Sequence, residues 1–417
     1  MADTQGGRTR GDGYIAVRMG EVAAALAEAG GEAQLGDVVR LAGALLHYEA
    51  HERLEQLKAL YDPLDPDAPP ARRDDSPAAF ERFEAALVDA LTRANYTEID
   101  PDSVHSRRAT KQLTGLEIKP SRAGIRRVRF FARGSRPERI EQRSLGGLRT
   151  QVIEAEMIAD VVVLVGFKNA DEADAREERA LAQVRRGVRP GAAIVKYFRN
   201  VATPELVTLH PGARPSMRPR DQVMLAAPAV ATGVPVLLNL WPALTVLFAV
   251  VAAYFGAQGV IEDDELKRAV AALSGLAAVI AFVMRQRLKY EAQTLRYQKR
   301  LADTVYFRNL ANNGGVLDQL VGAGEDQDAK EAALAYAMLR REQRPLAKAE
   351  LDNFAEAFLR ERFGLEIDFE IQDALTKLER MGLVVREGEL LTAVAPEEAL
   401  ARLDAAWDGL FDFSKRR

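Results

Sequence analysis

Two runs without a charged side chain dominate the pattern of apolar and polar positions along this chain. The first lies between Asp221 and Glu262, and the second extends from Ala269 to Met284. Roughly 20 apolar residues are enough to cross the hydrocarbon core of a bilayer. The pattern therefore predicts a transmembrane helical hairpin in residues 216–300, with spans at about 234–255 and 267–286.

The residues that flank the two runs predict the orientation of this hairpin. The linking loop is acidic over Glu262–Glu265, whereas Lys and Arg residues are concentrated before the first run and after the second. Because cytoplasmic flanks carry the excess of Lys and Arg, we expect a multi-pass membrane protein with both termini cytoplasmic. For a bacterial protein this would be the plasma membrane. Neither of the two charge-free runs places a charged side chain in the membrane interior, which favours an anchor over a transport pathway.

Hydrophobic periodicity predicts the elements that precede the hairpin. Residues 1–13 are polar and Gly-rich and are expected to form a disordered tail, whereas residues 14–115 show the apolar spacing of helices. Residues 116–215 predict a small α+β domain with an antiparallel sheet. Its strands are expected at the short apolar runs 128–132, 161–167 and 192–198.

After the hairpin, residues 301–417 predict a helical and winged-helix-like domain. Three helices are followed by two short strands around Glu387-Gly388-Glu389, which is the order of a winged helix. The predicted fold class is thus an α+β membrane-anchored protein. It has a helical N-terminal region, a small α+β domain, a two-helix transmembrane hairpin and a C-terminal winged-helix-like domain.

Composition limits the chemistry that this chain can perform. Charged residues make up 28% of the chain, the mean hydropathy is −0.17, and cysteine is absent. A polytopic transporter would be more apolar, and disulfides, thiol nucleophiles and Cys-based metal sites are excluded. His47 and His51 stand four residues apart, as a zinc pair would, but an exposed helix face is the favoured interpretation. No phosphate-binding loop, nucleophile elbow or kinase motif is present, so we expect no cofactor and no catalytic residue.

Several motifs occur in a fixed order around the predicted hairpin. They are Lys196–Asn200, Leu209–Gly212, Met217–Asp221, Tyr306–Leu317 and Gly324–Tyr336. In this order the motifs resemble the domain-of-unknown-function 3754 family, whose relatives include the transmembrane protein 143-like proteins. The last motif departs from the family's pattern at Gly324 and Asp328. The resemblance implies architecture and membrane placement, and no activity.

A basic stretch between Arg107 and Arg149 is the first candidate binding surface. It predicts contact with anionic lipid headgroups, because each basic residue near a bilayer contributes about 1 kcal/mol. Nucleic acid phosphates and a solvated surface without a ligand are the alternatives. The residues assigned to lipid contact are Arg122, Arg126, Arg127, Arg129 and Arg133.

The sequence YFRN occurs twice and marks a second candidate, a membrane-proximal motif. Aromatic side chains at membrane interfaces are the reason for this assignment, and chance repetition is the alternative. The motif residues are Tyr197, Phe198, Tyr306, Phe307, Asn312 and Asn313.

Charge decides which partner the C-terminal domain is expected to bind. Residues 325–417 contain 14 Lys and Arg against 21 Asp and Glu, whereas DNA-binding domains are basic where they meet phosphate. We therefore expect a protein partner through this domain and no nucleic acid. The leading hypothesis is a membrane-anchored interaction or scaffold protein, with the lipid bilayer as a further partner and a homo-oligomer allowed. The alternative is an oligomeric channel or transport component built from the hairpin.

Overall fold

A computed structural model describes residues 13–29, 34–100, 117–120, 124–144, 149–175, 177, 188–211, 213–216, 245, 248, 251–252, 256 and 263–411. Contacts between residues divide the chain into two compact units. The first unit comprises residues 1–109, 122–211 and 308–417, and the second comprises residues 110–121 and 212–307. The first unit thus combines stretches that the sequence pattern assigns to three separate domains.

The N-terminal part of the first unit is helical, with α1 (Met19–Glu28), α2 (Leu35–Tyr61) and α3 (Pro77–Arg93). The start of α3 follows from local chemistry, because the Ser76 hydroxyl accepts a hydrogen bond from the Ala79 N–H at 3.2 Å. Proline at the first helical position is also favourable, since its missing N–H would have no partner there. The inward side of α3 buries Phe80, Phe83, Leu87 and Leu91, which recur at three- and four-residue spacing.

A five-stranded antiparallel sheet forms the centre of the first unit. The first seven strands in chain order are β1 (Thr97–Ile99), β2 (Glu117–Pro120), β3 (Ile125–Ser144), β4 (Arg149–Phe167), β5 (Ala193–Ala202), β6 (Ala213–Ser216) and β7 (Asn309–Asn312). Strands β2 and β6 pair with each other and are not part of the five-stranded sheet. The order in the sheet is β1-β3-β4-β5-β7. Every side chain of residues 161–165 is buried, because elements of the same unit cover both faces of β4 there. This explains why the sequence shows a continuous apolar run rather than an alternating one.

The contact between β4 and α3 leaves no room for a side chain at Gly166. A Cβ atom added to this residue would lie 2.5 Å from Cε2 of Phe80. We expect Gly166→Ala to lower the free energy of unfolding by about 1–3 kcal/mol, because overpacking forces neighbouring groups to move. Gly43→Ala is the matched control, since nothing lies within 4 Å of its added Cβ. In mid-helix this control should stabilise by about 0.5–1 kcal/mol. Urea unfolding measures both, and equal effects would contradict the packing argument.

The C-terminal part of the first unit begins with α5 (Gly314–Glu342), which follows α4 (Asp263–Arg308) and β7 in the chain. The remaining elements are β8 (Leu346–Ala347), α6 (Lys348–Phe363), α7 (Ile371–Arg380), β9 (Val384–Glu387), β10 (Leu390–Ala393) and α8 (Pro396–Gly409). The small sheet has the order β8-β10-β9. Helix α6 ends at Gly364, whose φ of +68° is the left-handed conformation that terminates many helices.

A core of buried aliphatic side chains joins these C-terminal elements to the N-terminal helices. It includes Leu46 of α2, Leu334 and Leu339 of α5, and Leu375 of α7, each almost completely buried. A second core lies between α2, α3, the start of α5 and the central sheet. Helices α2 and α5 contribute to both cores, so they connect the sheet to the winged-helix-like elements.

In the second unit, described residues form α4 and the short pair β2–β6. Strands β2 and β6 are antiparallel, with Glu117 opposite Ser216 and Pro120 opposite Ala213. Helix α4 is 46 residues long and contains the whole charge-free run Ala269–Met284.

The transmembrane hairpin of the predicted fold class is wrong. Among the described residues, no helix combines the length and the apolar character that crossing a membrane requires. The charge-free run within α4 counts 16 residues, fewer than the roughly 20 that a spanning helix needs. The first predicted span, at about 234–255, lies almost wholly outside the described residues. What the structure supports is a mixed α+β architecture.

The predictions that depend on this hairpin are corrected with it. A multi-pass membrane localisation with both termini cytoplasmic, in the plasma membrane of a bacterium, required two spanning helices, and no such helix is found in the described part of the chain. The positive-inside rule gives the orientation of spans that exist and does not detect spans. The flanking charges by themselves are therefore no evidence for a hairpin. The alternative of a channel or transport component required the same hairpin, so it is corrected as well.

Candidate interaction site

Helix α5 buries four polar side chains within residues 327–331, which is the most unusual feature of the described residues. Gln327, Asp328, Lys330 and Glu331 are each no more than 2% exposed. Charged side chains are almost never buried this completely unless they have partners. These residues belong to the motif Gly324–Tyr336, so their partners show what the motif does.

Asp328 binds a lysine from another helix. The Nζ atom of Lys377 on α7 donates to Oδ1 of Asp328 at 2.5 Å, and also binds Asp373 one turn earlier on α7. The Glu331 carboxylate lies 3.9 Å from the same Nζ atom. We call Asp328, Glu331, Asp373 and Lys377 the buried ionic cluster. It attaches α7 to α5.

The three carboxylates of the cluster are spaced as metal ligands could be. One oxygen from each of Asp328, Glu331 and Asp373 lies within 4.8 Å of the other two. The ammonium group of Lys377 is placed among these oxygens, where it supplies the positive charge that a cation would otherwise provide. The three carboxylates therefore bind the ammonium group of Lys377.

Burial changes the protonation of the cluster. Desolvation raises the pKa of Glu331 to about 8, although Lys377 and a hydrogen bond from Asn95 act in the opposite direction. Desolvation also raises the pKa of Asp328, against the attraction of Lys377. For Lys377, burial lowers the pKa, but the neighbouring Asp328 and Glu331 outweigh it and the net shift is upward. At neutral pH Glu331 therefore retains its proton, which reduces the charge that must be balanced.

The other buried polar residues of α5 hold the N-terminal segment. The Gln327 side chain accepts from the Ile15 N–H at 3.3 Å and donates to the Ile15 carbonyl at 3.2 Å. The Lys330 ammonium donates to the carbonyls of Ile15 and Val17, each at 2.9 Å. The motif thus satisfies backbone groups of a segment more than 300 residues away in sequence.

A cleft of about 130 Å³ opens beside the cluster, between α2, α3 and α5. Its apolar wall is formed by Leu57, Leu60, Ala86, Ala90 and Val321, and its rim by Arg53, Gln56, Asp89, Arg93, Glu325 and Asp328. A concave apolar surface with a few polar groups at its edge is the usual form of a binding site.

The rim side chains are held by ion pairs rather than left mobile. Arg53 lies 3.5 Å from the Asp328 carboxylate, and Arg93 donates to Asp89 at 2.9 Å. On α2, His47 lies 2.9 Å from Glu325, so the structure gives this histidine a carboxylate partner. These ion pairs connect side chains of α2 to α5 and link neighbouring side chains within α3 around the cleft.

The predicted lipid-contact arginines are distributed along β3, and Arg122 lies outside the described residues. The other four each form an ion pair within the first unit. The pairs are Arg126 with Glu172, Arg127 with Glu84, Arg129 with Glu84 and Glu98, and Arg133 with Asp160. Lipid contact by this group stays a prediction, and these carboxylates would compete with headgroup phosphates for it.

Arg133 is the most buried of these arginines. It is 4% exposed and donates to Asp160 at 2.9 Å. Its guanidinium group lies between the rings of Tyr14 and Tyr96, 4.4 and 4.6 Å from their centroids. Cation–π contacts and a buried carboxylate together stabilise a charge that would be costly without them.

The two YFRN motifs occupy different surroundings. Tyr197 and Phe198 of β5 are buried, and the Tyr197 hydroxyl donates to Asp160 at 2.6 Å. Tyr306 and Phe307, near the end of α4, are 76% and 82% exposed. A membrane-proximal role for the motif stays a prediction.

The two asparagines that follow the second motif make backbone contacts with β5. Asn312 pairs with Lys196 between β7 and β5. The Asn313 N–H donates to the Val195 carbonyl at 2.7 Å, and this residue has a φ of +52° immediately before α5. Asparagine tolerates a positive φ better than most residues. Both residues therefore connect the sheet to α5.

Sequence reasoning missed Lys377, Asp373 and Arg53. A signal was present for Lys377, which lies among Ala374, Leu375 and Leu378 on the apolar side of α7. A lysine at such a position indicates either an exposed edge or a buried ion pair, and Asp373 four residues earlier favours the pair. Asp328, the decisive partner, is 49 positions away and cannot be found from spacing.

Comparison with known proteins gives a family and no activity. No solved structure matches this chain. One family model matches residues 159–315, a stretch that contains the second half of β4, all of β5, β6, α4 and β7, and the first residues of α5. The buried ionic cluster lies outside the matched residues. Over residues 159–315, the chain is thus a match to the family described as Protein of unknown function (DUF3754).

Proposed function

We propose that this chain is an interaction or scaffold protein, which binds a protein partner in the cleft between α2, α3 and α5. The cleft itself is the observation that supports this proposal. Its wall is apolar, its volume of about 130 Å³ suits one large side chain, and its rim is held by ion pairs. Interfaces obtain most of their binding energy from such buried anchors at a rigid pocket.

Charge around the cleft defines the partner's chemistry. Residues 325–417 have a net charge of −7, from 14 basic and 21 acidic side chains, and the rim carries three acidic residues, Asp89, Glu325 and Asp328, against two basic ones, Arg53 and Arg93. Opposite charge accelerates encounter and discriminates between partners. The partner we propose therefore presents an apolar side chain that is flanked by basic residues.

The contacts of α7 support a protein rather than a nucleic acid. In a winged helix this is the helix that would enter the DNA groove. Lys377 of α7 is buried in the ionic cluster, and Arg380 donates to Glu49 of α2 at 2.8 Å. The tip of the β9–β10 hairpin carries Glu387 and Glu389, both exposed. Neither basic residue of α7 is oriented for phosphate contact, and the hairpin would repel it.

The matched family is described as a protein of unknown function, so the match adds no activity to this proposal. The likeness to transmembrane protein 143-like proteins is part of this proposal, and the motif Tyr306–Leu317 supports it. The proposal of an interaction protein rests on the first unit alone.

Filling the cleft tests the proposed function. Ala90 is half-buried in the cleft wall, so Ala90→Trp should occupy the volume that a partner's side chain would use. Full-length tagged protein is purified from its own cells, and partners are quantified by mass spectrometry. We expect the specific partner to be lost, with affinity for the purified partner reduced by about 30-fold or more.

Ala405→Trp on α8 is the matched control, because this alanine is exposed and does not line the cleft. It should bind the partner as the unaltered chain does, and both variants should unfold at a similar urea concentration. Raising the salt concentration should weaken the association, since opposite charges contribute to it. Undiminished binding by a folded Ala90→Trp variant would refute the cleft as the docking site.

A further inference from the structure

Helix α4 exposes large apolar side chains along much of its length. Val270, Met284 and Leu288 are 56%, 59% and 64% exposed. Contiguous apolar surface of this kind marks an interaction site in folded proteins. The described residues of the chain leave these side chains exposed.

One set of the exposed positions on α4 follows a coiled-coil spacing, whereas Ile280, Val283 and Tyr290 are exposed outside it. Starting at Lys267, steps of three and four residues alternate as in the a and d positions of heptads. The positions are Lys267, Val270, Ser274, Ala277, Ala281, Met284, Leu288 and Glu291, and every one of them is exposed. We call these eight residues the α4 seam.

The α4 seam is complementary to itself when it is reversed. Larger apolar residues stand towards its ends, small residues are at its centre, and the terminal positions have opposite charges. We propose that the seam binds a second copy of this chain, with the two α4 helices antiparallel. The residues that face each other are Lys267 and Glu291, Val270 and Leu288, Ser274 and Met284, and Ala277 and Ala281. Each pair matches an a position with a d position, and the interface is isologous, as a two-fold symmetric dimer requires.

Charge specifies the antiparallel direction. In this arrangement Lys267 of one copy faces Glu291 of the other, and the pair forms twice. A parallel arrangement would place Lys267 against Lys267 and Glu291 against Glu291. The two side chains are 77% and 52% exposed, and each also forms an ion pair within α4, Lys267 with Asp264 at 3.2 Å and Glu291 with Arg287 at 3.0 Å. Charges at the edge of a seam set partner orientation in this way.

The polar residue within the seam is compatible with a dry interface. The Ser274 hydroxyl donates to the Val270 carbonyl of its own helix at 2.9 Å. Burial therefore leaves no unsatisfied hydroxyl donor. Alanine at the two central positions lets the helix axes approach closely, because interaxial distance is set by the side chains at the contact.

A matched pair of substitutions tests the seam. Met284 belongs to the seam, whereas its neighbour Val283 points away from it, and the two are 59% and 58% exposed. The full-length chain is studied by sedimentation velocity over a range of concentrations. We expect Met284→Glu to be monomeric where the unaltered chain and Val283→Glu are dimeric. Equal disruption by both would overturn the proposal, because it would mean that the helix is covered on all sides by something else.

Cysteine cross-linking tests the direction. The chain contains no cysteine, so single introduced thiols report on one contact each. Val270→Cys and Leu288→Cys chains of different tag lengths are mixed and oxidised. The antiparallel seam predicts the mixed disulfide, and little of either homodimer, since like positions would be separated by about 27 Å along the axis. Predominant Val270→Cys homodimers would demonstrate a parallel arrangement and refute the proposal.

Charge exchange provides a test that a folding defect would not imitate. Lys267→Glu places like charges together at both ends and should raise the dimer dissociation constant by about ten-fold. Lys267→Glu combined with Glu291→Lys should restore it. A chain that is monomeric throughout, or a double variant as weak as the single one, would overturn the inference.

Discussion

Lys377→Met is expected to lower the free energy of unfolding by about 3–5 kcal/mol, because breaking a buried ion pair leaves an uncompensated charge. Asp328 is 2% exposed and would keep its ion pair with Arg53, at 3.5 Å, but lose the closer contact with the Lys377 ammonium. Methionine resembles lysine in length, so lost packing contributes little to the difference. The contact between α5 and α7 should therefore be the part most weakened.

Urea unfolding at pH 7 with the m-value determined for each variant measures this effect. Lys348→Met is the control, because Lys348 is exposed and binds only Gln372 through its side chain at 2.8 Å, and such surface changes stay within about 0.5 kcal/mol. Adding Asp328→Asn to Lys377→Met should recover part of the loss, since the unpaired charge is removed. If both lysine substitutions have the same small effect, the ionic cluster does not stabilise the fold.

Glu331→Gln is expected to stabilise the protein at alkaline pH and to have little effect at pH 5. The folded-state pKa of Glu331 is raised from 4.5 to about 8 by desolvation. The stability that this proton contributes is fully present below pH 4.5 and is lost as pH rises through 8. A shift of this size corresponds to about 5 kcal/mol above pH 8. Glutamine stays neutral throughout and can still accept the hydrogen bond that Asn95 donates at 3.0 Å.

The measurement is the difference in unfolding free energy between Glu331→Gln and the unaltered chain from pH 5 to pH 9. Because other titrating groups are common to both proteins, the difference isolates Glu331. Glu350→Gln is a control with the opposite expectation: hydrogen bonds from Arg344 and the Ala347 backbone lower the pKa of Glu350, so its removal should not stabilise at high pH. A difference that is constant with pH would show that Glu331 is ionised in the folded state.

These two predictions concern the same structural role. Gln327 and Lys330 of α5 hold the N-terminal segment, and Asp328 holds α7 through Lys377. The cleft wall is formed by α2, α3 and this same helix. Loss of the cluster should therefore weaken partner binding in the cleft as well as stability, because Asp328 belongs to both the cluster and the cleft rim.

The start of α3 and the strands of the central sheet could be predicted from sequence. Ser76 followed by Pro77 marks the start of α3, and β3, β4 and β5 contain the predicted apolar runs. Their causes are local, because caps and hydrophobic periodicity depend on residues close together in the chain. Strand β8 was missed because two residues, Leu346 and Ala347, carry no periodicity.

The candidate site was largely hidden from sequence. The acidic and basic residues of Gly324–Tyr336 were visible as a motif, but their burial was not. The charge-free run of α4 was visible too, but an apolar pattern by itself does not separate a membrane span from an exposed interaction helix. Heptad spacing defines the α4 seam, and large side chains outside it, such as Ile280 and Val283, are exposed as well.

By itself the sequence determined the local helix and strand signals, the absence of cysteine chemistry and the acidic character of residues 325–417. Only the tertiary structure decided that Lys377 lies between carboxylates of two helices, that Gln327 binds Ile15, and that no helix of the described residues is suited to cross a membrane. The physical reason is the range of the interactions. Caps and periodicity act within a few residues, whereas desolvation and ion pairing depend on which distant segments meet in space.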